Sequence, residues 1–300
     1  MSRRPRRLLL AVNPSASFGR NRAIGPATAR RLEAEGYEVT LLRADNFELL
    51  RREVQAAFDA GTDGLVVVGG DGMVSLGVNV LARSQVPMGL VAAGTGNDLA
   101  RALGLPHDDP EAGIDALVEA LGRPPQTIDL GLMQHGDLRT WFACVLSAGF
   151  DAVVNERANR MARPRGPSRY TIALLRELAT FRPRRYAITI DGARRDQAAM
   201  LVSVANTPSL GGGMRIVPHA DLADGVLDVF IVHPLSRMGL LGVFPRVFAG
   251  EHVDHPAVEF VRARRVRVEA DDIIAYADGE RVGPLPVEVE VVPGALRMFA

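Results

Sequence analysis

The chain has 300 residues, 47% of them apolar, enough to bury a core in one large domain or two ordinary ones. Its 35 basic and 35 acidic residues cancel, so the charge balance gives no sign of a nucleic-acid partner. Every basic residue is Arg, and the absence of Lys excludes a Walker A loop, a protein-kinase strand lysine and Schiff-base chemistry, each of which needs a primary amine.

The predicted elements open with strand LLLAV (8–12), a helix near 22–35, strand EVTLL (38–42), a helix near 46–59 and strand LVVV (65–68). Helices near 74–83 and 111–121 flank a further strand, MGLVA (88–92). Strands apolar along their whole length, separated by helices, predict a layered α/β domain with a mostly parallel sheet. Function then belongs at the carboxyl ends of those strands. After about 135 the pattern turns strand-rich: RTWFACVLS, RYAITI, QAAMLVSVAN, GVLDVFIV, VEFVRA, RVRVEA, DIIAYA and PVEVEVV, with turn signals at short intervals. This spacing predicts an antiparallel sheet or β-sandwich, interrupted by helices near 151–160, 168–180 and 236–248. Gly122-Arg123-Pro124-Pro125 supplies the break, giving a first domain over 1–130 and a second over 131–292. The Arg- and Pro-rich stretch 157–169 reads as a mobile surface insertion.

Cys144 stands alone, which excludes an internal disulfide and a cysteine-rich zinc site and makes a reducing, cytoplasmic setting the default. It lies in an apolar run beside Trp141 and Phe142, as a buried structural thiol would. No apolar run approaches the roughly 18–20 residues that span a bilayer. The basic start MSRRPRRLLLAV reaches Asn13-Pro14 too soon for a signal peptide and reads as an arm leading into the first strand. The six histidines form no HExxH pattern, and no Gly-x-Ser-x-Gly elbow is present.

Two loops carry the chemistry. Val66-Val67-Val68 runs into Gly69-Gly70-Asp71-Gly72, where glycines let backbone amides approach a ligand phosphate that side chains would block. Strand 88–92 ends in Gly94-Thr95-Gly96-Asn97-Asp98, followed by Arg101. The second loop superficially matches a dinucleotide fingerprint, but Leu99 stands where its third glycine belongs, so a Rossmann dehydrogenase fits poorly. Two carboxylates, Asp71 and Asp98, would repel phosphate unless a divalent cation lay between, and two acids with phosphate oxygens suit Mg²⁺. Nucleotide-dependent phosphoryl transfer is the chemistry this pattern predicts. A third acidic glycine loop, Asp278-Gly279-Glu280, is either a plain hairpin turn or the source of a general base, Glu280.

In these motifs the sequence resembles the bacterial diacylglycerol kinase and lipid kinase family, related to sphingosine kinases and more distantly to NAD kinases. The resemblance runs through Asn13-Pro14-Ser15, Gly69-Gly70-Asp71-Gly72, Gly94-Thr95-Gly96-Asn97-Asp98 with Arg101, Asp224-Gly225 and Asp278-Gly279-Glu280, in that order. It implies an ATP-binding first domain and a β-sandwich second domain carrying the acceptor lipid, with a last strand near 293–300 returning to the first. Asn13 and Pro14, Gly69, Gly70, Gly72, Gly94, Thr95, Gly96 and Asn97 would then hold the nucleotide. Asp71 and Asp98 would act through water and Mg²⁺, and Glu280 would be the base, steadied by Asp278. Asp221, Asp224 and Val226 would match a structural Mg²⁺ site of some members; a solvated turn is the competing reading. Where the family commonly has Thr after the glycine loop and Glu three positions on, this chain has Met73 and Leu76. Nucleotide contacts there fall to backbone amides or Ser75, and phosphate-binding cations to Arg20 and Arg101, because no Lys exists.

The resemblance thus implies an ATP- and Mg²⁺-dependent lipid kinase forming a phosphatidic-acid-type product, docking peripherally on a membrane without spanning it. Basic clusters at Arg3, Arg4, Arg6, Arg7 and at Arg157, Arg160, Arg163, Arg165, Arg169 suit an anionic surface, though a solvated face is the plainer reading. The apolar stretch Met238 to Phe248 either covers a lipid site or, the favoured reading, packs on the sandwich. Rival functions are a kinase of another lipid, or of a soluble acceptor such as NAD, and an inactive nucleotide-binding regulatory module. Oligomeric state stays open, a homodimer included.

Overall fold

The computed structural model describes residues 6–13, 23–149 and 182–300. Pro14, Arg20, the helices expected near 151–160 and 168–180, and the 157–169 insertion lie outside the described residues. The chain divides into two compact units, Met1–Leu130 with Pro293–Ala300, and Gly131–Val292.

In the first unit the elements are β1 (Arg7–Val12), α1 (Ile24–Ala34), β2 (Glu38–Leu42), α2 (Phe47–Asp59), β3 (Gly64–Gly69), α3 (Asp71–Leu81), β4 (Met88–Ala92), α4 (Asp98–Ala102) and α5 (Pro110–Leu121). The strands pair in parallel in the order β2-β1-β3-β4. The end of a long last strand, β16 (Val287–Phe299), joins beside β4, also in parallel. β3 is buried at all six positions, as a strand covered on both faces requires, whereas β2 at the edge is half exposed. Leu8, Leu10, Val66, Val68 and Val91 from the sheet pack with Ile24 and Leu32 of α1 and with Ile114, Leu117 and Leu121 of α5. Helix starts are fixed locally: the Asn46 side chain caps α2 by accepting from the Leu49 amide at 2.9 Å, and Asp109 caps α5 ahead of Pro110. Buried Asp129 accepts from the Gly294 amide at 2.7 Å, which ties the returning strand to its neighbour.

The second unit is built of antiparallel strands in two sheets. β5 (Gln126–His135) starts in the first unit and pairs here with β6 (Leu138–Phe142). One sheet also contains β8 (Arg184–Ile190), β9 (Ala193–Ala199), β13 (Arg265–Glu269) and the start of β16. The other runs β12-β11-β10-β7-β14-β15, from β7 (Val145–Gly149), β10 (Leu201–Ala205), β11 (Leu227–Val232), β12 (Val258–Ala263), β14 (Ile274–Ala277) and β15 (Glu280–Pro284). One apolar core lies between them, with Phe142, Tyr186, Ile188, Val266 and Val289 from the first sheet facing Leu146, Val202, Val204, Val229 and Ala275 from the second. Helix α6 (Arg237–Ala249) connects β11 to β12.

Two runs expected as single strands are split. RTWFACVLS leaves one sheet at Phe142 and enters the other at Val145; QAAMLVSVAN does the same across Met200. Neither break contains Gly or Pro. Each is held by distant partners: the Met200 amide donates to the Val232 carbonyl at 2.7 Å, and the amides of 143–145 turn to Asp278.

Candidate active site

In the first unit, the carboxyl ends of β3 and β4 carry the two glycine loops, and the loops touch. A side chain on Gly94 would place its Cβ 2.3 Å from the Gly70 Cα, and one on Gly70 would lie 2.9 Å from the Gly94 Cα. Only glycine permits this backbone-on-backbone contact. Asp71, at the first turn of α3, fastens the loops together: Oδ2 accepts from the Asn97 amide at 3.2 Å and Oδ1 from the Asp98 amide at 2.9 Å. Gly96 makes room for it, since a Cβ there would sit 2.3 Å from Asp71 Oδ2. Asp71 also lies at the positive end of the α3 dipole, where a carboxylate is favoured.

Asn97 adopts a left-handed conformation, φ 55°, which Asn tolerates better than most residues. Its side chain accepts from the Gly94 amide at 3.0 Å and donates to the carbonyls of Gly94 and His107 at 3.1 and 2.6 Å. Arg101 donates through Nε to the Gly96 carbonyl at 3.1 Å and lies 2.8 Å from His107 Nε2. In this arrangement Arg101 buttresses the second loop. His107 and its carbonyl carried no sequence signal, because backbone acceptance leaves no trace in residue type. Thr95 is exposed at the loop tip, Asp98 is buried, and Asn13 lies beside Gly69, its amide on the Val68 carbonyl at 3.2 Å. Ser75 stands one helical turn beyond Asp71 on the same face of α3. Met73 and Leu76 are buried in the core, and Met73 packs under Gly69.

A nucleotide phosphate with Mg²⁺ requires backbone amides at close approach and carboxylate oxygens with lone pairs to spare. Two carboxylates and apposed glycine backbones suit a hexacoordinate ion that keeps several waters, since each Asp71 oxygen retains a lone pair beyond the amide it accepts. The groups fit.

In the second unit, Asp278 and Gly279 both take left-handed angles, φ 48° and 81°, and form the two-residue turn between β14 and β15. The buried Asp278 carboxylate accepts from three successive amides, Ala143 at 2.7 Å, Cys144 at 2.9 Å and Val145 at 3.1 Å. Asn206 holds the same strip from the other side, donating through Nδ2 to the Ala143 carbonyl at 2.9 Å. Glu280, the next residue but one, is exposed at the start of β15. The loop is therefore a hairpin turn, and one anchored firmly enough to fix the position of Glu280.

Asp221 and Asp224 lie in a separate loop before β11. Each side chain caps its own turn, Asp221 accepting from the Ala223 amide at 2.9 Å and Asp224 from the Val226 amide at 3.2 Å. The other Asp224 oxygen is paired with the Arg262 guanidinium. Among the described residues no cluster of three or more His, Cys, Asp or Glu is arranged to hold a metal. The Asp224 carboxylate is thus shared between its own turn and the Arg262 guanidinium. Nearby Asp228 is buried, 3.3 Å from His219 Nε2. Burial pushes its carboxyl above the usual range, against the opposing pull of His219 and Arg262. A carboxyl raised in the fold destabilises the ionised form; this penalty is complete above the folded value and is relieved as pH falls through it. Asp228→Asn is therefore expected to raise Tm more at pH 8 than at pH 4, measured by calorimetry; a gain equal at both would contradict this.

The first unit thus bears two glycine loops joined through one carboxylate on a parallel sheet, and the second is a two-sheet antiparallel unit. Comparison with known proteins gives this arrangement a family. Residues 7–133 match the model of the diacylglycerol kinase catalytic domain, and 144–300 that of the YegS C-terminal NAD kinase beta sandwich-like domain. The diacylglycerol kinase of Mycobacterium tuberculosis (strain CDC 1551 / Oshkosh) is 41% identical over 290 residues, covering 96% of this chain and 93% of its own. That of Bacillus subtilis (strain 168) is 27% identical over 267 residues, covering 86% and 84%. The crystal structure of a diacylglycerol kinase from Bacillus anthracis str. Sterne superposes with a TM-score of 0.74 at 22% identity, over 100% of this chain and 98% of that one. The chain belongs to the diacylglycerol kinase family, a family of lipid kinases.

Proposed function

We propose that this protein transfers the γ-phosphoryl group of ATP to the hydroxyl of a diacylglycerol-like lipid. The observation that carries the reading is the Asp71 carboxylate bonded to the Asn97 and Asp98 amides, which sets two glycine loops against each other. In this reading the loop amides and Asn13 orient the phosphates, and Asp71 and Asp98 hold Mg²⁺ through water. Bound there, Mg²⁺ supplies neutralisation of the charge on the phosphate oxygens. Glu280 accepts the proton of the acceptor hydroxyl as its oxygen bonds to the γ-phosphorus and the bond to the ADP oxygen breaks. Asp278 is a positioning residue: it is buried, and its bonds to 143–145 set where the hairpin presents Glu280. The acceptor resides in a bilayer, so the enzyme works from the membrane surface.

Asp71→Asn keeps the size of the side chain but removes its charge. It is expected to weaken Mg²⁺-dependent ATP binding about tenfold, the cost of one charge-assisted hydrogen bond. Calorimetric titration checks this, and parental affinity together with parental turnover removes Asp71 from the role. The acceptor is tested with γ-labelled ATP offered to diacylglycerol, a sphingoid base and NAD in parallel. Label in phosphatidic acid is the expected outcome. Label in NAD alone would replace the lipid reading with a soluble-acceptor one.

A further inference from the structure

Helix α6 is apolar on nearly every side, RMGLLGVFPRVFA, and among its described side chains those on one face are buried while those on the opposite face are exposed. Leu240 and Val243 are buried and Val247 is half-buried, one above another at helical spacing, and the Val247 carbonyl accepts from the Arg215 amide at 3.0 Å. The opposite face presents Met238, Gly242, Pro245 and Ala249 to solvent. Met238 is 76% exposed and Phe248, on the flank of that face, 51%. An amphipathic surface helix places polar residues outward; this one places a Met and a Pro there, with a Phe on the flank. No helix among the described residues is long and apolar enough to cross a membrane, so α6 is not a span.

Charge decides between occupants. From residue 229 to 250 the sequence contains no Asp or Glu, and Arg246 is exposed beside the apolar face, with exposed Arg215 near its C-terminal end. The first acid, Glu251, follows beyond the Gly250 cap. A second copy docking through the same face would bring together two surfaces of the same positive sign, with no acid on either helix to offset Arg246. An anionic bilayer reverses that sign: each Arg near the surface is favoured, and exposed Met and Phe enter the headgroup boundary.

We propose that the outward face of α6 docks this protein on an anionic lipid surface, with Met238 and Phe248 inserted and Arg246 at the headgroups. The proposal rests on the lipid-kinase reading for its biological sense, but its test does not. Vesicles of phosphatidylcholine mixed with phosphatidylglycerol are sedimented with the full chain. Met238→Ser combined with Phe248→Ser is expected to weaken binding about tenfold, some 1.4 kcal/mol. Turnover on a short-chain diacylglycerol in detergent should stay at the parental rate. Met238→Trp, with Tm and circular dichroism matching the parent, is expected to tighten binding. Arg246→Gln should weaken binding to the mixed vesicles and not to phosphatidylcholine alone. A parent that ignores vesicles, a double variant that binds like the parent, or a double variant whose only change is from dimer to monomer would each overturn the proposal. Vesicle binding lost in the double variant, with no phosphate transfer by the parent to any lipid, would uphold the docking face and remove the kinase reading instead.

Discussion

Glu280→Gln is expected to lower phosphate transfer by about two to four powers of ten, the range over which a positioned general base acts. Gln matches Glu in size and remains a hydrogen-bond partner but cannot take up a proton at neutral pH. Glu280 is exposed and sits directly after the Asp278-Gly279 turn, so its removal disturbs no core packing and no described nucleotide loop. Mg²⁺-ATP affinity should therefore match the parent, and the loss should fall on kcat. Unchanged turnover would take Glu280 out of the mechanism. A fall in ATP affinity as large as the fall in kcat would assign it to nucleotide binding.

Asp278→Ala is expected to cost about 3–5 kcal/mol of stability, read as a lower denaturant midpoint, because three buried amides lose a charged acceptor together. Ala also tolerates the left-handed angle of 48° poorly, which adds to the loss. Asp278→Asn keeps an acceptor and tolerates that angle, so it should lose less than half as much. As a positioning residue, Asp278 should also matter for kcat in the Asn variant, with KM for ATP spared. Equal stability of parent and Ala variant would show that the three bonds contribute nothing. Stability lost with kcat fully retained in Asn would confine Asp278 to structure.

The two loops that meet in the first unit were legible before the fold, and for a physical reason. Glycines clustered around an acid directly after an apolar strand mark places where backbone must approach a ligand, and Gly70, Asp71, Gly94 and Gly96 are all drawn into the contact of the two loops. The parallel sheet was legible from β1, β3 and β4, whose residues are apolar without alternation. What stayed hidden depends on distant backbone partners. The sheet changes after Phe142 and at Met200 have no turn residues, and they are imposed by Asp278 and by the Val232 carbonyl. His107 and Asp129 act on backbone groups, and residue type does not reveal that. Met73 and Leu76 look in the sequence like missing polar contacts. In the fold they are core, with Met73 filling the space beneath Gly69. Within Met238 to Phe248, Leu240 and Val243 pack while Met238 and Phe248 stand exposed, a division that an apolar run does not reveal by composition.

The most direct measurement is the transfer of labelled γ-phosphate from ATP to diacylglycerol in mixed micelles by the parent chain, with Mg²⁺ and with chelator. Steady formation of labelled phosphatidic acid that stops when Mg²⁺ is removed is the predicted result. Mg²⁺-dependent ATP binding with no labelled lipid, across diacylglycerol and related acceptors, would contradict the account and leave a nucleotide-binding module without transferase activity.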